Sequence, residues 1–287
     1  MSLTLRPIAE TDADPCGRII FEAFRRFHER HRFPPDFQSL EEAVQLAGIF
    51  VSHPAIHGVV AERDGRVVGS NFLDERNPIR GVGPITVEPD VQGQGVGRRL
   101  MEAVIERGRE ATGIRLVQDG FNMRSLALYA SLGFDAKEPL ALLGGRPEGE
   151  LPPGAEVRLL RAGDLEDCAA LCKRVHGFDR TAELRDALAL FSPVVLRREG
   201  RVAAYASAPF YWKLNHGVAE TEDDMRSLLT GAATVGPEPL TMLVPVRQAA
   251  FFRWCLGAGF RAVKPMTLMA RGSYQPPAGC HFPSVLY

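Results

Sequence analysis

Between Gly83 and Glu110 the chain reads GPITVEPDVQGQGVGRRLMEAVIERGRE, an apolar strand ending at Pro89, a glycine-rich turn, and an amphipathic helix entered straight from that turn. Gly93, Gly95 and Gly97 have no Cβ, so the backbone there is free to curl until its N–H groups converge. The helix that follows points its positive end at the same place, which suits a phosphate. Arg98 and Arg99 add cationic charge in the predicted first turn. A plain tight turn would use the same glycines, so the surroundings have to choose between the two. They exclude two nucleotide motifs: Arg98 stands where a dinucleotide fingerprint needs its third glycine, and the Gly-Lys-Ser/Thr of a Walker loop is missing.

A second motif lies downstream, NMRSLALYASLGF from Asn122 to Phe134. With the loop Gln92-Gly93-Gln94-Gly95-Val96-Gly97 and the preceding Val87-Glu88-Pro89, it resembles the GNAT N-acetyltransferase superfamily. That family's loop reads Q/R-x-x-G-x-G/A, and its second signature reads N-x-x-S/A-x-x-L-Y-x-x-x-G-F. The resemblance implies acetyl-CoA as the acetyl donor. It implies that Ile85, Thr86 and Val87 pair with the pantetheine arm like an extra strand, and that amides from Gln92 to Arg98 hold the pyrophosphate. Asn122 would bond the pantetheine, Ser125 would lie nearby, and Tyr129 would serve as general acid to the leaving thiolate. A tyrosine suits that work, because its ordinary pKa near about 10 keeps it protonated at neutral pH.

The implied reaction is direct attack of a neutral amine on the thioester. The residues do not single out its base: Asp74, Glu75, Glu88 and Asp119 are candidates, as is the α-carboxylate of Tyr287 at the end of the apolar tail PPAGCHFPSVLY.

The sequence also repeats. VVAERDGRVVG (Val59–Gly69) and VVLRREGRVAA (Val194–Ala204) both read as hairpins, offset by 135 residues from Val59 to Val194. LRPIAETDADPC from Leu5 parallels VRLLRAGDLEDC from Val157, an offset of 152. Gly133-Phe134 parallels Gly259-Phe260, an offset of 126, and KEPLALLGG from Lys137 parallels KPMTLMARG from Lys264. The Pro- and Gly-rich stretch around 146–154 lies between the copies. We therefore expect two tandem GNAT-like domains, 1–145 and 155–287, joined by that linker. Each is an α/β fold with a mixed, mostly antiparallel sheet flanked by helices. The first copy should run strand, helical region from Asp12 to Leu46, hairpin, strand from Gly83 to Val87, helix from Arg98, strand at Arg115–Gln118, helix from Met123 and a last strand.

The second copy loses the cofactor groups. KLNHGVAETEDDMRSLLTGA replaces the glycine loop, with Thr221 as helix cap and Glu222, Asp223 and Asp224 in the first turn, where carboxylates satisfy the positive helix end. Cys255 falls at the position of Tyr129, and Gln248 at that of Asn122. This half is expected to give structural support, to shape the acceptor pocket, with Ala208–Leu214 as a candidate wall, or to join two chains as a homodimer.

Composition narrows the partners. Lys plus Arg (34) nearly equals Asp plus Glu (35) with no basic stripe, against nucleic acid and anionic membranes. Acidic residues interrupt the first twenty positions and no run is long enough to span a bilayer, so a cytoplasmic protein is expected. Five scattered cysteines argue against disulfides. Cys168/Cys172, His28/His31 and His53/His57 each lack further ligands for a metal site, and none is expected. The expected function is acetyl transfer to a primary amine of a small molecule. The alternative is a non-catalytic acyl-CoA-binding sensor.

Overall fold

Arg6 reaches out of β1 (Leu3–Pro7) and grips Asp12 with a fork, Nη1 to Oδ2 at 2.6 Å and Nη2 to Oδ1 at 2.9 Å. In this computed structural model, which describes residues 3–287, Asp12 also accepts from the Ala9 amide at 2.8 Å and so opens α1 (Ala13–His31). α1 stops where Arg32 turns left-handed, and Pro34 and Pro35 prevent its continuation. α2 (Leu40–Ser52) begins afresh beneath Ser39, whose hydroxyl accepts from the Glu42 amide at 3.2 Å. The helical region expected from Asp12 to Leu46 is therefore two helices.

β2 (Ile56–Arg63) and β3 (Arg66–Asp74) form the expected hairpin. Asp64 and Gly65 have φ of 52° and 76°, the paired positive values of a type I′ turn. β1 lies antiparallel to β2. The strand expected at Gly83–Val87 is two pieces, β4 (Ile79–Val82) and β5 (Thr86–Val87), because Gly83 takes φ of 139° and Pro84 has no N–H to give. α3 (Val96–Arg107) starts two residues before Arg98, and β6 (Gly113–Asp119) returns parallel to β4 from Ile79↔Gly113 to Gly81↔Arg115. Leu100, Met101 and Val104 of α3 and Phe72 of β3 are fully buried. Met1–Arg115 forms one compact unit and Leu116–Tyr287 another.

The second unit continues with α4 (Met123–Ser131) and β7 (Asp135–Gly145). Residues 146–154 carry no helix or strand. β8 (Ala155–Leu159) then repeats the opening fork: Arg158 holds Asp164 through two bonds of 2.8 Å, and Asp164 accepts from the Arg161 amide at 2.9 Å. Each atom of this motif lies 152 residues after its counterpart, from Arg6 to Arg158 and from Asp12 to Asp164. α5 (Leu165–His176), α6 (Thr181–Leu190), β9 (Val194–Arg198) and β10 (Arg201–Ala206) follow, with φ of 52° at Glu199 and 79° at Gly200 repeating the type I′ turn.

Last come β11 (Gly217–Ala219), α7 (Glu222–Ala232), β12 (Leu240–Pro245), α8 (Ala249–Gly257), β13 (Arg261–Gly272) and β14 (Cys280–Phe282). Five strands form an antiparallel sheet in the order β14-β11-β10-β9-β8. Its two faces bury separate cores, since Val194 and Leu196 enter one and Val195 between them enters the other. β7 lies between β12 and β13, antiparallel to both. That double pairing holds the last strand of the first repeat among strands of the second, so compactness divides the chain before β7 rather than at residues 146–154.

A polar cluster is buried in this unit. Arg180, 1% exposed, donates to Glu183 at 2.9 and 2.7 Å, and Glu183 lies 3.4 Å from His216. The His176 ring stands 5.5 Å from that of His281 and 6.1 Å from that of Tyr287. Burial pushes His281 down to about 4, while Arg247 and Arg180 act in the same direction against the Gly279 carbonyl. Burial also pushes His176 well below its usual value. A histidine depressed on folding contributes stability above its unfolded pKa near about 6.5 and loses it as pH falls through its folded value. Thermal stability is thus expected to drop between pH 6.5 and about 4, with His281 supplying about 2 to 3 kcal/mol of the change. Melting curves of His281→Gln across that range should be visibly flatter than wild type.

Candidate active site

β5 is short because the chain leaves the sheet at once: Thr86 and Val87 pair with Ser70 and Gly69 of β3, and the turn follows. Gly69 is required there, since a Cβ would come within 2.7 Å of the Thr86 carbonyl oxygen. Ile85 lies just before β5, half-buried, and Thr86 and Val87 are buried. In the loop, Gln92 folds its side chain back to donate to the Val87 carbonyl at 3.0 Å, and Gln94 accepts from Arg63 at 2.8 Å. Gly93 and Gly95 take φ of 86° and 84°. Gly97 does not help form the turn as expected. It sits in the first turn of α3, because the helix already begins at Val96.

The N-terminus of α3 is capped by Gly95, which has no side chain to offer, and its first turn contains no acidic residue. Gln92, Gly93, Gln94 and Gly95 are exposed, Val96 is buried, and Arg98 stands at the surface 3.7 Å from Glu102. Curled glycines, helix amides without side-chain caps and nearby cations make a cradle that fits a phosphate. α7 begins oppositely. Thr221 accepts from the Asp224 amide at 3.1 Å, and Glu222, Asp223 and Asp224 fill the first turn. Its positive end is already neutralised.

In the second unit, Asn122 caps α4 by accepting from the Ser125 amide at 3.1 Å. Tyr129 is the buried residue of that helix, and its ring stands 6.3 Å from Phe134. Burial pushes its hydroxyl up to about 12, opposed by a hydrogen bond with Ser125. A hydroxyl so placed holds its proton through the neutral range.

The carboxylates considered as bases are all engaged. Asp74 lies 2.6 Å from Arg76, Glu75 2.9 Å from Arg107, Glu88 2.6 Å from Arg66 and Asp119 2.7 Å from Lys264. The Arg107 hydrogen bonds hold Glu75 below the usual carboxylate range. Tyr287 is buried, with its ring 5.2 Å from the Arg180 guanidinium carbon and stacked 6.0 Å from Phe178.

Two buried charges escaped the sequence reading. Lys264 on β13 pairs with Asp119 and lies 5.2 Å from the Trp212 ring. Glu138 on β7 accepts from Arg247 at 2.6 Å and from the Tyr274 hydroxyl at 2.9 Å. They occupy equivalent places: Gly120 N donates to Pro265 O and Val246 N donates to Pro139 O, both offset by 126 between repeats. The KEP and KP matches held this signal, but aligning lysine with lysine hid the pairing of Glu138 with Lys264.

This combination of layers, glycine turn and helix start defines a GNAT fold. Residues 18–134 match the acetyltransferase (GNAT) family. A mycothiol acetyltransferase of Streptosporangium roseum is 31% identical over 120 residues, which is 39% of this chain and 34% of that protein. The match thus spans about a third of that relative's length. Among solved structures, a proposed acetyltransferase from Pyrococcus horikoshii has a TM-score of 0.72 at 16% identity, covering 95% of this chain and 90% of that one. A tandem GNAT protein from the clavulanic acid biosynthesis pathway has a TM-score of 0.60 at 15% identity, covering 96% and 100%. These likenesses extend the fold over both halves.

The glycines separate two kinds of cost. A Cβ at Gly95 meets nothing within 4 Å, so Gly95→Ala should cost about 1 to 2 kcal/mol through its positive φ alone. Gly69→Ala must push β5 away, so it should lower the melting temperature more and alter the loop, as proteolysis at Gln92–Gly95 would report.

Proposed function

We propose that the chain transfers acetyl from acetyl-CoA to a primary amine, in its first repeat. The observation that carries this reading is the start of α3, where two positive-φ glycines lead into a helix whose first turn lacks both an acidic residue and a side-chain cap. Backbone amides from Gln92 to Arg98 would hold the pyrophosphate, Ile85 to Val87 would align the pantetheine arm, and Asn122 and Ser125 would contact it. Acetyl-CoA, when bound, supplies an activated acyl group. Tyr129 gives its proton to the leaving sulfur, a role supported by a hydroxyl that burial keeps protonated up to about 12.

The acceptor in this reading is a small molecule. Trp212, Lys213 and Lys264 bring the second repeat's side chains together beside Asp119, three residues before Asn122, and this supports pocket shaping by that repeat. We take the repeats as 1–145 and 155–287, joined by 146–154. The ion pairing of Asp74, Glu75, Glu88 and Asp119 favours a second reading, an acyl-CoA-binding sensor without turnover.

Calorimetric titration with acetyl-CoA, followed by an amine screen, tests both. Wild type should bind at micromolar concentration, and Gly95→Asp should weaken binding at least a hundredfold while circular dichroism stays unchanged. Absence of wild-type binding would defeat both readings. Tyr129→Phe should keep its affinity within about threefold and lower kcat at least about a hundredfold, the lower end of the usual contribution of general acid catalysis. A wild type that binds but turns over no amine would be the sensor.

A further inference from the structure

The second repeat preserves the strand geometry of the proposed cofactor cleft. In the first repeat β5 pairs with β3 through Gly69↔Val87 and Ser70↔Thr86. In the second, β11 pairs with β10 through Ala204↔Ala219, Tyr205↔Val218 and Ala206↔Gly217. The hairpin offset of 135 carries Gly69 to Ala204 and Ser70 to Tyr205. Val87, Thr86 and Ile85 therefore correspond to Ala219, Val218 and Gly217. Those three residues carry a further antiparallel partner on their other side, β14, with Gly217↔Phe282, Val218↔His281 and Ala219↔Cys280.

An independent contact comes from α8. Gln248 stands where the first repeat has Asn122, and its side-chain amide clasps the tail from two sides. Nε2 donates to the His281 carbonyl at 2.6 Å, and Oε1 accepts from the His281 amide at 3.1 Å. The floor is fitted to this occupant. A Cβ on Gly217 would come within 2.1 Å of the Phe282 ring, and one on Gly279 within 2.6 Å of the Ala219 carbonyl oxygen. Cys280, His281 and Phe282 are all buried.

We propose that the second repeat retains a binding cleft for an extended, amide-bearing chain, and that its ligand is the protein's own C-terminal strand, Cys280–Phe282. The strand lies where the pantetheine arm pairs in the first repeat, so this inference rests on the cofactor reading of Ile85–Val87. The chemistry of the exchange is consistent. A pantetheine arm and a peptide strand both present alternating amide N–H and C=O groups to an open strand edge. Only the cofactor brings phosphates, and the acidic start of α7 repels them while leaving a neutral peptide undisturbed. The cleft has exchanged an external ligand for a covalently attached one, whose local concentration needs no saturation.

Hydrogen exchange on the full-length chain, combined with calorimetric stoichiometry, tests this. The Cys280–Phe282 amides should exchange at least a hundredfold more slowly than in the free peptide of residues 278–287. Gly217→Val, which collides with Phe282, should speed them at least tenfold. The milder Gln248→Ala should speed His281 most and serves if Gly217→Val fails to fold. Neither should change the exchange of Thr86 and Val87. Acetyl-CoA should bind at one equivalent per chain. Tail amides that exchange like the free peptide, or two equivalents of acetyl-CoA per chain, would overturn the proposal. No acetyl-CoA binding alongside a protected tail would identify the cofactor reading as the failure, and the comparison with a pantetheine arm would fall with it.

Discussion

A strand edge cannot be left dry and unpaired, because each backbone N–H and C=O buried without a partner costs about as much as a lost hydrogen bond. Much of this molecule follows from where its edges find partners. β7 is paired on both sides, by β12 and β13, and β11 lies between β10 and β14. β5 is paired with β3 alone among the described residues. The proposed function uses that difference, because a strand with one open side can receive an extended ligand. On that proposal the two repeats differ in the occupant of a single strand edge, which in the second is β14.

Charge at a helix start makes the same distinction a second time. α3 and α7 both follow the strand that borders their cleft, so their positive ends have corresponding places in the two repeats. Gly95 leaves that end open, whereas Thr221, Glu222, Asp223 and Asp224 close it. A few side chains over one turn are enough to decide whether a dianion is welcome, while the strands beneath keep their register.

Much of this was legible from residues alone, where local chemistry dictates geometry. Asp64-Gly65 and Glu199-Gly200 could only be tight turns, and Arg6/Asp12 and Arg158/Asp164 keep their 152-residue spacing down to the hydrogen bonds. The glycine loop and the Thr221 cap were readable for the same reason. Hidden features depend on partners distant in sequence. Nothing near His281 announces a strand, since β14 is specified by Gln248 and by the flat surface of Gly217. Glu138 and Lys264 look like ordinary surface charges until Arg247 and Asp119 reach them across the unit. Gly97 was placed in the turn because three alternating glycines read alike, although only φ separates a turn glycine from a helical one.

The double pairing of β7 bears on how the chain matures. β7 ends at Gly145, but its partners begin at Leu240 and Arg261, about a hundred residues later in synthesis. At the ~5–20 residues per second of translation, this strand emerges many seconds before either neighbour exists. For that interval an eleven-residue strand with Leu140, Ala141, Leu142 and Leu143 in sequence has both edges open, the configuration most prone to pairing with another chain. The first repeat is therefore not a unit that finishes before the second is made. Native pairing of β7 waits on the C-terminal strands, and the nascent chain must hold that strand without its final partners until they arrive.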